Sequence, residues 1–363
     1  MNEKKTLKND LVLLQKTARE RTVKTQTVEY DLETLVKKIS KNIIKLNPEY
    51  QRNHRWNNET SSRLVESLIL NIPIPYVYIS QDIDVDEDVD EDDISRYSVI
   101  DGQQRLTAIY SFIKNEYRLE GLDILSNLNG MFYKDLPPFL LRRLEERTIK
   151  CLRIDSTLDQ QVKYDIFERL NSGSVKLEAQ ELRNAVCRGP FKDLLKELVK
   201  DKNFVESCNL TARTAKIQKM EDEELVLRFF AINYKEGYKE YKGGFKIFLT
   251  DKMSYFNGLD KKELEAMKNK FIETFKKINK LKKPFSKYKI VDKKLHLMST
   301  LNVAVFDAIT HLFYVAPEQT IISSGQINKL FFDNDFFLAC EGSTNDVKKV
   351  FTRIRKAESI LTQ

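Results

Sequence analysis

A strand–turn–helix pattern occupies the segment Tyr97-Ser98-Val99-Ile100-Asp101-Gly102-Gln103-Gln104-Arg105-Leu106-Thr107-Ala108-Ile109. A β-branched run stops at Asp101-Gly102, and the apolar residues that follow recur at helical spacing. Gly102 permits a backbone conformation that other residues resist, and the free N–H groups of a helix's first turn attract anions. The pattern therefore predicts an anion site, large enough for a phosphate, in front of this helix.

Two charged side chains bear on this predicted site. Arg105 adds a forked cation one turn into the helix, and Asp101 supplies a carboxylate that can hold Mg²⁺ or orient a water molecule. The alternative is structural: Asp101 caps the helix and Arg105 is a solvated surface residue. The spacing of the residues leaves both interpretations open.

Length and composition fit a globular protein with one large domain or two smaller ones. The chain has 363 residues, of which 41% are hydrophobic. No apolar stretch approaches the roughly 20 residues that cross a bilayer, and no signal-type segment follows the first residues, so we expect a cytoplasmic protein without membrane contact. The four cysteines are widely spaced and form no Cys-x-x-Cys pair, which predicts reduced, buried thiols.

Charge is unevenly distributed along the chain. The formal net charge is +7, yet the run 82–93 contains nine carboxylates and no basic residue. The remainder is distinctly basic, which favours a polyanionic partner such as DNA, although lysine-rich surfaces also serve solubility. We interpret the acidic run as a solvated loop between two strands of a hairpin.

The pattern of apolar residues predicts an α+β protein with three parts. Residues 1–27 form a basic tail or docking helix, 28–154 an α/β domain that includes the acidic loop 82–93, and 155–363 a mostly helical domain. Within the last part, the segment 235–294 contains 18 lysines and 8 acidic residues. Its aromatic residues at helical intervals favour a packed core, which leaves the lysines as a candidate binding surface.

A second polar cluster spans residues 167–184. Arg169 and Asn171 flank a predicted helix end at Gly173, while Arg183 and Asn184 lie in the next predicted helix. From the residues alone, a buried structural hydrogen-bond network is the safer interpretation.

Several segments in order resemble one known family. They are Tyr50-Gln51-Arg52 with Trp56, Glu66-Ser67, Asn71-Ile72-Pro73-Ile74-Pro75, Val99 to Thr107, Phe167 to Gly173 and Glu181-Leu182-Arg183-Asn184. Together these segments, within residues 28–230, resemble the N-terminal-domain family of the GmrSD restriction endonucleases. Two departures are Ser174, where a second glycine is frequent, and the density of the acidic run.

The resemblance implies a ParB/sulfiredoxin-like α/β domain followed by helices. It also implies nucleotide binding and hydrolysis at Asp101-Gly102-Gln103-Gln104-Arg105, and work in bacterial defence against modified phage DNA.

On that basis each candidate residue has an expected role. Gly102 and the backbone at Gln103 cradle phosphate, Arg105 and Arg52 neutralise charge, Asp101 holds Mg²⁺ or water, and Gln103 or Gln104 orients the attacking water. The remaining nucleotide-binding candidates are Tyr50, Gln51, Arg169 and Asn171.

The resulting hypothesis is a regulatory protein that binds and hydrolyses a nucleoside triphosphate. The family's nuclease chemistry belongs to a separate His-Asn-His module, which needs grouped histidines. Because the chain has only His54, His296 and His311, and the latter two fall in a predicted helical stretch that favours packed histidines, we expect no such nuclease site. A separate nuclease or sensing subunit is then the expected partner, besides DNA, and homo-oligomerisation stays open. The alternatives are a non-hydrolysing DNA-binding module of the same fold and a ParB-like nuclease.

Overall fold

The chain divides into two compact units, residues 1–173 and 174–363. The computed structural model describes residues 25–46, 56–81, 97–154, 160–170, 178–187, 189–210 and 220–362, apart from the side chains at 81, 160–163 and 185. The division falls later than the predicted boundary at 154/155, because the helix at 160–170 contacts a strand of the first unit.

The first unit is built on a mixed five-stranded sheet. Its strands are β1 (Thr25–Asp31), β2 (Ile44–Lys45), β3 (Val77–Gln81), β4 (Tyr97–Asp101) and β5 (Thr148–Ile154). Their order across the sheet is β1-β5-β3-β4-β2. β3 pairs antiparallel with β4, as the predicted hairpin requires, and parallel with β5.

Helices pack against this sheet and bury its apolar side chains. They are α1 (Leu32–Ser40), α2 (Asn58–Ile69), α3 (Gln103–Ile113), α4 (Pro138–Glu145) and α5 (Gln160–Leu170). Two of these helices start at an Asx cap: Asp31 Oδ1 accepts the N–H of Thr34, and Asn57 Oδ1 accepts the N–H of Thr60.

The second unit is mostly helical, as predicted. Its helices are α6 (Ala179–Val186), α7 (Pro190–Leu198), α8 (Lys202–Ser207), α9 (Glu221–Asn233), α10 (Phe245–Asn257), α11 (Lys261–Ile278), α12 (Val303–Val315), α13 (Ser324–Lys329), α14 (Asn334–Ala339) and α15 (Val347–Glu358). Aromatic rings fill its core, and the prediction that the aromatics of 235–294 are core residues is confirmed. The buried set from that prediction is Tyr238, Tyr241, Phe245, Phe256, Phe271, Phe275 and Phe285.

Two strand features differ from the predictions. β1 begins at Thr25, inside the predicted tail, because its polar side chains lie on an exposed edge strand and carry little apolar signal. In the second unit, β6 (Lys287–Val291) and β7 (Lys294–Ser299) form a separate two-stranded sheet. Its apolar residues alternate with polar ones, as in Lys287-Tyr288-Lys289-Ile290, but the assignment of residues 155–363 to helices overlooked this strand signal.

The cysteines and two of the histidines can be compared with the predictions. All four cysteines are free and buried. His311 is buried in α12 as predicted, whereas the prediction for His296 is wrong, because that residue lies exposed in β7. Across the described ranges, we find no helix with the length and apolar character needed to span a bilayer.

Candidate functional site

The turn between β4 and α3 has the geometry that the sequence predicts. β4 ends at Asp101, Gly102 takes φ +95°, and α3 starts at Gln103. No side chain caps the helix, so Asp101 is not its cap and that structural alternative is wrong. The first-turn N–H groups therefore receive no side-chain acceptor, and the positive end of the helix dipole lies at this turn.

Gly102 is required here for two reasons. Its positive φ is rarely adopted by residues that carry a Cβ. In addition, a Cβ at this position would lie 2.9 Å from Cγ2 of Val77 and 3.2 Å from Nη2 of Arg105. The close approach to Val77 holds the start of α3 against β3.

Arg105 is anchored inside the domain. Its Nη2 donates to Oδ2 of Asp101 at 2.7 Å, and its Nη1 donates to the carbonyl oxygens of Pro75 and, at 3.1 Å, Tyr76. Only 9% of the residue is exposed, so the interpretation of Arg105 as a solvated surface residue is wrong. Its guanidinium links the turn to the chain segment that enters β3.

Burial and charge act in opposite directions on this arginine. Desolvation lowers the pKa of Arg105 below its ordinary value, while the carboxylate of Asp101 opposes the shift. Since an arginine stays protonated in proteins, the guanidinium remains a cation at the base of the turn. The side chain of Asp101 is 30% exposed and presents its carboxylate to the solvent side of the pair.

Two amide side chains follow the turn. Nε2 of Gln103 and Oε1 of Gln104 are buried atoms that have no hydrogen-bond partner among the residues described. Buried polar atoms are nearly always hydrogen-bonded in native proteins, so each unpaired atom requires an explanation. A polar ligand at the start of α3 would supply such partners.

The other predicted residues are distributed as follows. Tyr50, Gln51, Arg52 and Asn171 lie outside the described residues. Arg169 is an exposed residue in the last turn of α5, which belongs to the first compact unit and contacts β4. The prediction that placed Arg169 in the helical domain 155–363 therefore differs from the structure, in which this residue belongs to the first unit.

Arg183 and Asn184 lie in α6 of the second unit, within a buried network. Nη1 of Arg183 donates to Oε1 of Gln180 and to Oε2 of Glu224, each at 2.8 Å. Nδ2 of Asn184 donates to Oε2 of Glu223 at 2.6 Å. The predicted structural hydrogen-bond network is thus present in α6, and its carboxylate acceptors, Glu223 and Glu224, come from the first turn of α9.

Glu66 has a role that the sequence did not reveal. Its Oε1 accepts the N–H groups of Ile124 and Leu125, at 3.0 and 2.7 Å, although the residue is 58 and 59 positions earlier in the chain. This buried carboxylate fixes the loop after α3. Only the family motif pointed to Glu66, because its partners are backbone groups with no sequence signal.

No group of three or more His, Cys, Asp and Glu side chains suited to a metal ion occurs within the described ranges. Near the turn, Asp101 is the acidic residue available to a cation. Its Oδ2 is hydrogen-bonded to Arg105, which leaves Oδ1 as a single protein ligand. That donor set fits Mg²⁺ only where phosphate oxygens and water complete the octahedron, as is common at nucleotide sites.

The fold defines a class: a mixed α/β domain followed along the chain by a mostly helical unit. Residues 32–187 match the model of the GmrSD restriction endonuclease N-terminal domain, so this segment is similar to that family. The resemblance in the motifs is thereby confirmed, and the segment is of a restriction-system type. No curated protein and no solved structure matches the chain.

Proposed function

We propose that this protein binds a nucleoside triphosphate at the β4–α3 turn and hydrolyses it, as the regulatory component of a bacterial phage-defence or restriction system. The observation that carries the proposal is a combination of three features at the start of α3. In the described part of the chain, the first turn has no side-chain cap, the carboxylate of Asp101 is partly exposed, and one buried amide atom each of Gln103 and Gln104 is unpaired. The similarity of residues 32–187 to a restriction-endonuclease family supports the cellular role.

The phosphate groups would meet the first-turn N–H groups of α3. Glycine at position 102 lets the backbone approach them, and the helix dipole favours their charge. Nε2 of Gln103 would donate to a phosphate oxygen or to the attacking water, and Oε1 of Gln104 would accept a hydrogen bond from that water. The remaining candidate nucleotide ligands precede or follow the turn in the sequence. They are Tyr50, Gln51 and Arg52 before it, and Arg169 and Asn171 after it.

Arg105 would act mainly as a positioning residue in this proposal. Its Nη1 is occupied by two carbonyl oxygens and its Nη2 by Asp101. The guanidinium would therefore orient the Asp101 carboxylate and add positive potential beneath the phosphates while it remains buried.

Mg²⁺ would be held by Oδ1 of Asp101 together with phosphate oxygens and water. When bound, the ion would neutralise charge that develops on the phosphates. In the hydrolytic step, water attacks the terminal phosphorus, the bond to the bridging oxygen breaks, and a nucleoside diphosphate and phosphate leave. Gln103 or Gln104 would orient that water.

A second candidate is a non-hydrolysing DNA-binding module, favoured by the exposed lysines of the second unit; a ParB-like nuclease ranks after it. We propose that cleavage of DNA is performed by a separate nuclease subunit. Sensing of modified DNA would fall to the same partner or to this chain.

The test measures triphosphate binding by calorimetry, and phosphate release, on the full chain with Mg²⁺. Asp101→Asn keeps the hydrogen-bonding shape of the side chain but removes its charge, and Gln103→Leu removes the unpaired amide. We expect each variant to lose at least about tenfold in affinity or turnover, which equals about 1.4 kcal/mol.

Asp123→Asn is the matched control, because Asp123 is an exposed carboxylate of the same unit, 3.6 Å from Arg63. It should bind and hydrolyse nucleotide like the unaltered protein. Unchanged binding and turnover in both site variants, with unaltered melting temperatures, would refute the proposed site. Binding without phosphate release would favour the non-hydrolysing alternative.

A further inference from the structure

The two-stranded sheet β6–β7 is an anchored projection of the second unit. At its base, the ring of Tyr288 packs edge-on against Phe331 at a centroid distance of 5.4 Å. Nζ of Lys287 lies 3.5 Å from Oε1 of Glu341, and Oγ of Ser286 donates to the carbonyl oxygen of Thr300. Beyond the base, residues 289–294 and 296–298 are all exposed. We call residues 287–299 the ribbon.

A tight turn joins the two strands of the ribbon. Asp292 and Lys293 form a two-residue loop, and their φ values are +51° and +61°. Positive φ at both central positions is the signature of a type I′ turn, whose twist matches that of a β-hairpin. The ribbon is therefore a regular, twisted pair of strands up to its tip.

The register separates the side chains of the ribbon into two faces. Lys289 is opposite His296 and Val291 is opposite Lys294, so these residues share one face. The other face carries Tyr288 opposite Leu297 and Ile290 opposite Leu295. The first face carries Lys289, Lys294 and His296 beside the apolar Val291, and the other face is apolar, with Ile290 and Leu297 exposed by 40% and 45%.

The lysines around the ribbon are uncompensated. Between residues 280 and 294 there are seven lysines and one acidic residue, Asp292. Apart from Lys287, none of these lysines has an ion-pair partner among the residues that the structure describes. They are Lys280, Lys282, Lys283, Lys289, Lys293 and Lys294, all exposed.

On the preceding helix α11, by comparison, three of the six lysines have an ion-pair partner within the described ranges. On α11, Nζ of Lys268 lies 2.6 Å from Oε1 of Glu197, and Nζ of Lys277 lies 2.8 Å from Oε1 of Glu273. Solubility would be served equally by paired and unpaired lysines. The unpaired lysines lie on the ribbon and in the segment that precedes it. This concentration of positive charge indicates a binding surface for a polyanion.

From this arrangement we infer that the ribbon is a DNA-binding arm that enters a groove of duplex DNA. The major groove, about 12 Å wide, admits a two-stranded β-ribbon. Strands of five and six residues span roughly 17–20 Å. Lys289, Lys293 and Lys294 would contact phosphates, while the exposed apolar side chains lie against sugars and base edges.

The ribbon lies in the second unit, outside the family-matched residues 32–187. It contains none of the residues at the β4–α3 turn. A free polyanionic protein segment would satisfy the same charges, but it would make no use of the regular, twisted ribbon geometry. We therefore commit to duplex DNA as the occupant.

The test compares two charge-matched double variants of the full chain in fluorescence-anisotropy titrations with a 30-base-pair duplex. Lys289→Glu/Lys294→Glu alters the cationic face of the ribbon. Lys261→Glu/Lys262→Glu makes the same change in net charge at the first turn of α11, about 26 Å along the helix from the end that precedes the ribbon. Nucleotide binding is measured on the same preparations.

We expect the ribbon variant to lose at least about tenfold in DNA affinity at 100 mM salt, and its salt-dependence slope to fall by about 1.8, corresponding to two phosphate contacts. The α11 variant should retain both values within about twofold. Binding in the ribbon variant equal to that of the unaltered protein, or equal losses in both variants, would overturn the inference.

Absence of duplex binding by the unaltered protein would also overturn the inference. That result would leave the nucleotide proposal standing, because triphosphate binding is a separate measurement on a separate surface. Preference for single-stranded over duplex DNA would exclude insertion into a groove.

Discussion

Gly102 lies against Val77 so closely that the turn before α3 has no space for a Cβ. We predict that Gly102→Ala lowers the free energy of unfolding by about 2–4 kcal/mol, through backbone strain at positive φ and the contact with Val77. Gly130→Ala is the matched control: its φ is +87°, and no atom lies within 4 Å of the added Cβ. It should cost only the strain, about 1 kcal/mol. Urea denaturation measures both.

A double variant separates the two causes. Val77→Ala removes the methyl groups that Gly102→Ala would meet, so the double variant should be more stable than the sum of the two single losses implies. Additive losses would show that the backbone conformation alone demands glycine.

Asp307 is the centre of a buried ionic cluster in the second unit. It accepts hydrogen bonds from Arg228 and Arg353, and it is completely buried, as is Arg353. We predict that Asp307→Ala destabilises the protein by about 3–5 kcal/mol, since two guanidinium groups would lose their buried counter-charge. The measurement is the shift of the urea midpoint.

Glu197→Ala provides the comparison for an exposed pair. Glu197 lies 2.6 Å from Lys268 and more than half of its side chain is exposed, so the loss should remain below about 1 kcal/mol. Similar losses in the two variants would contradict the account of Asp307 as a buried counter-ion.

His311 makes the stability depend on pH. Burial lowers its pKa to about 4, and its Nδ1 lies 2.9 Å from Oδ1 of Asn233. The unfolded chain takes up a proton at this position below about pH 6.5, but the folded protein does so only near pH 4. The contribution of His311 to the free energy of unfolding should therefore fall by up to about 3 kcal/mol as the pH is lowered between these values, while Asp222, whose pKa burial raises to about 6, contributes in the opposite direction.

The check is a series of urea denaturations from pH 7 to pH 4. His311→Gln removes the titrating group, so its stability relative to that of the unaltered protein should increase as the pH is lowered, whereas His296→Gln, at an exposed position, should show no such relative change. A steep dependence that survives in His311→Gln would assign it to other groups.

Local features were predictable from the sequence because their signals are local. The cap at Asp31, the strand that leads to Asp101 and the glycine turn before α3 each depend on neighbouring residues. The antiparallel pairing of β3 with β4 followed from the acidic run between two apolar segments.

Non-local features were not predictable in the same way. The attachment of Arg105 to the carbonyl oxygens of Pro75 and Tyr76 spans about thirty residues and involves backbone atoms common to every residue type. β1 was hidden by its polar, edge-strand composition, and the ribbon was overlooked because it is short and lies among helices. In each case the decisive partner lies far away in sequence or carries no distinguishing side chain.

The attachment of Arg105 also constrains when the turn can form during synthesis. Its acceptors lead directly into β3, and Val77 at the start of that strand pairs with Cys151 of β5, 74 positions later. A nascent chain that ends before β5 has the complete Asp101–Arg105 motif, yet β3 still lacks one of its two neighbours. Because closing such a long loop precedes the gain in contacts, the turn reaches its final geometry late. The geometry of the proposed nucleotide site is thereby coupled to completion of the whole sheet, so unfinished chains should not bind the nucleotide.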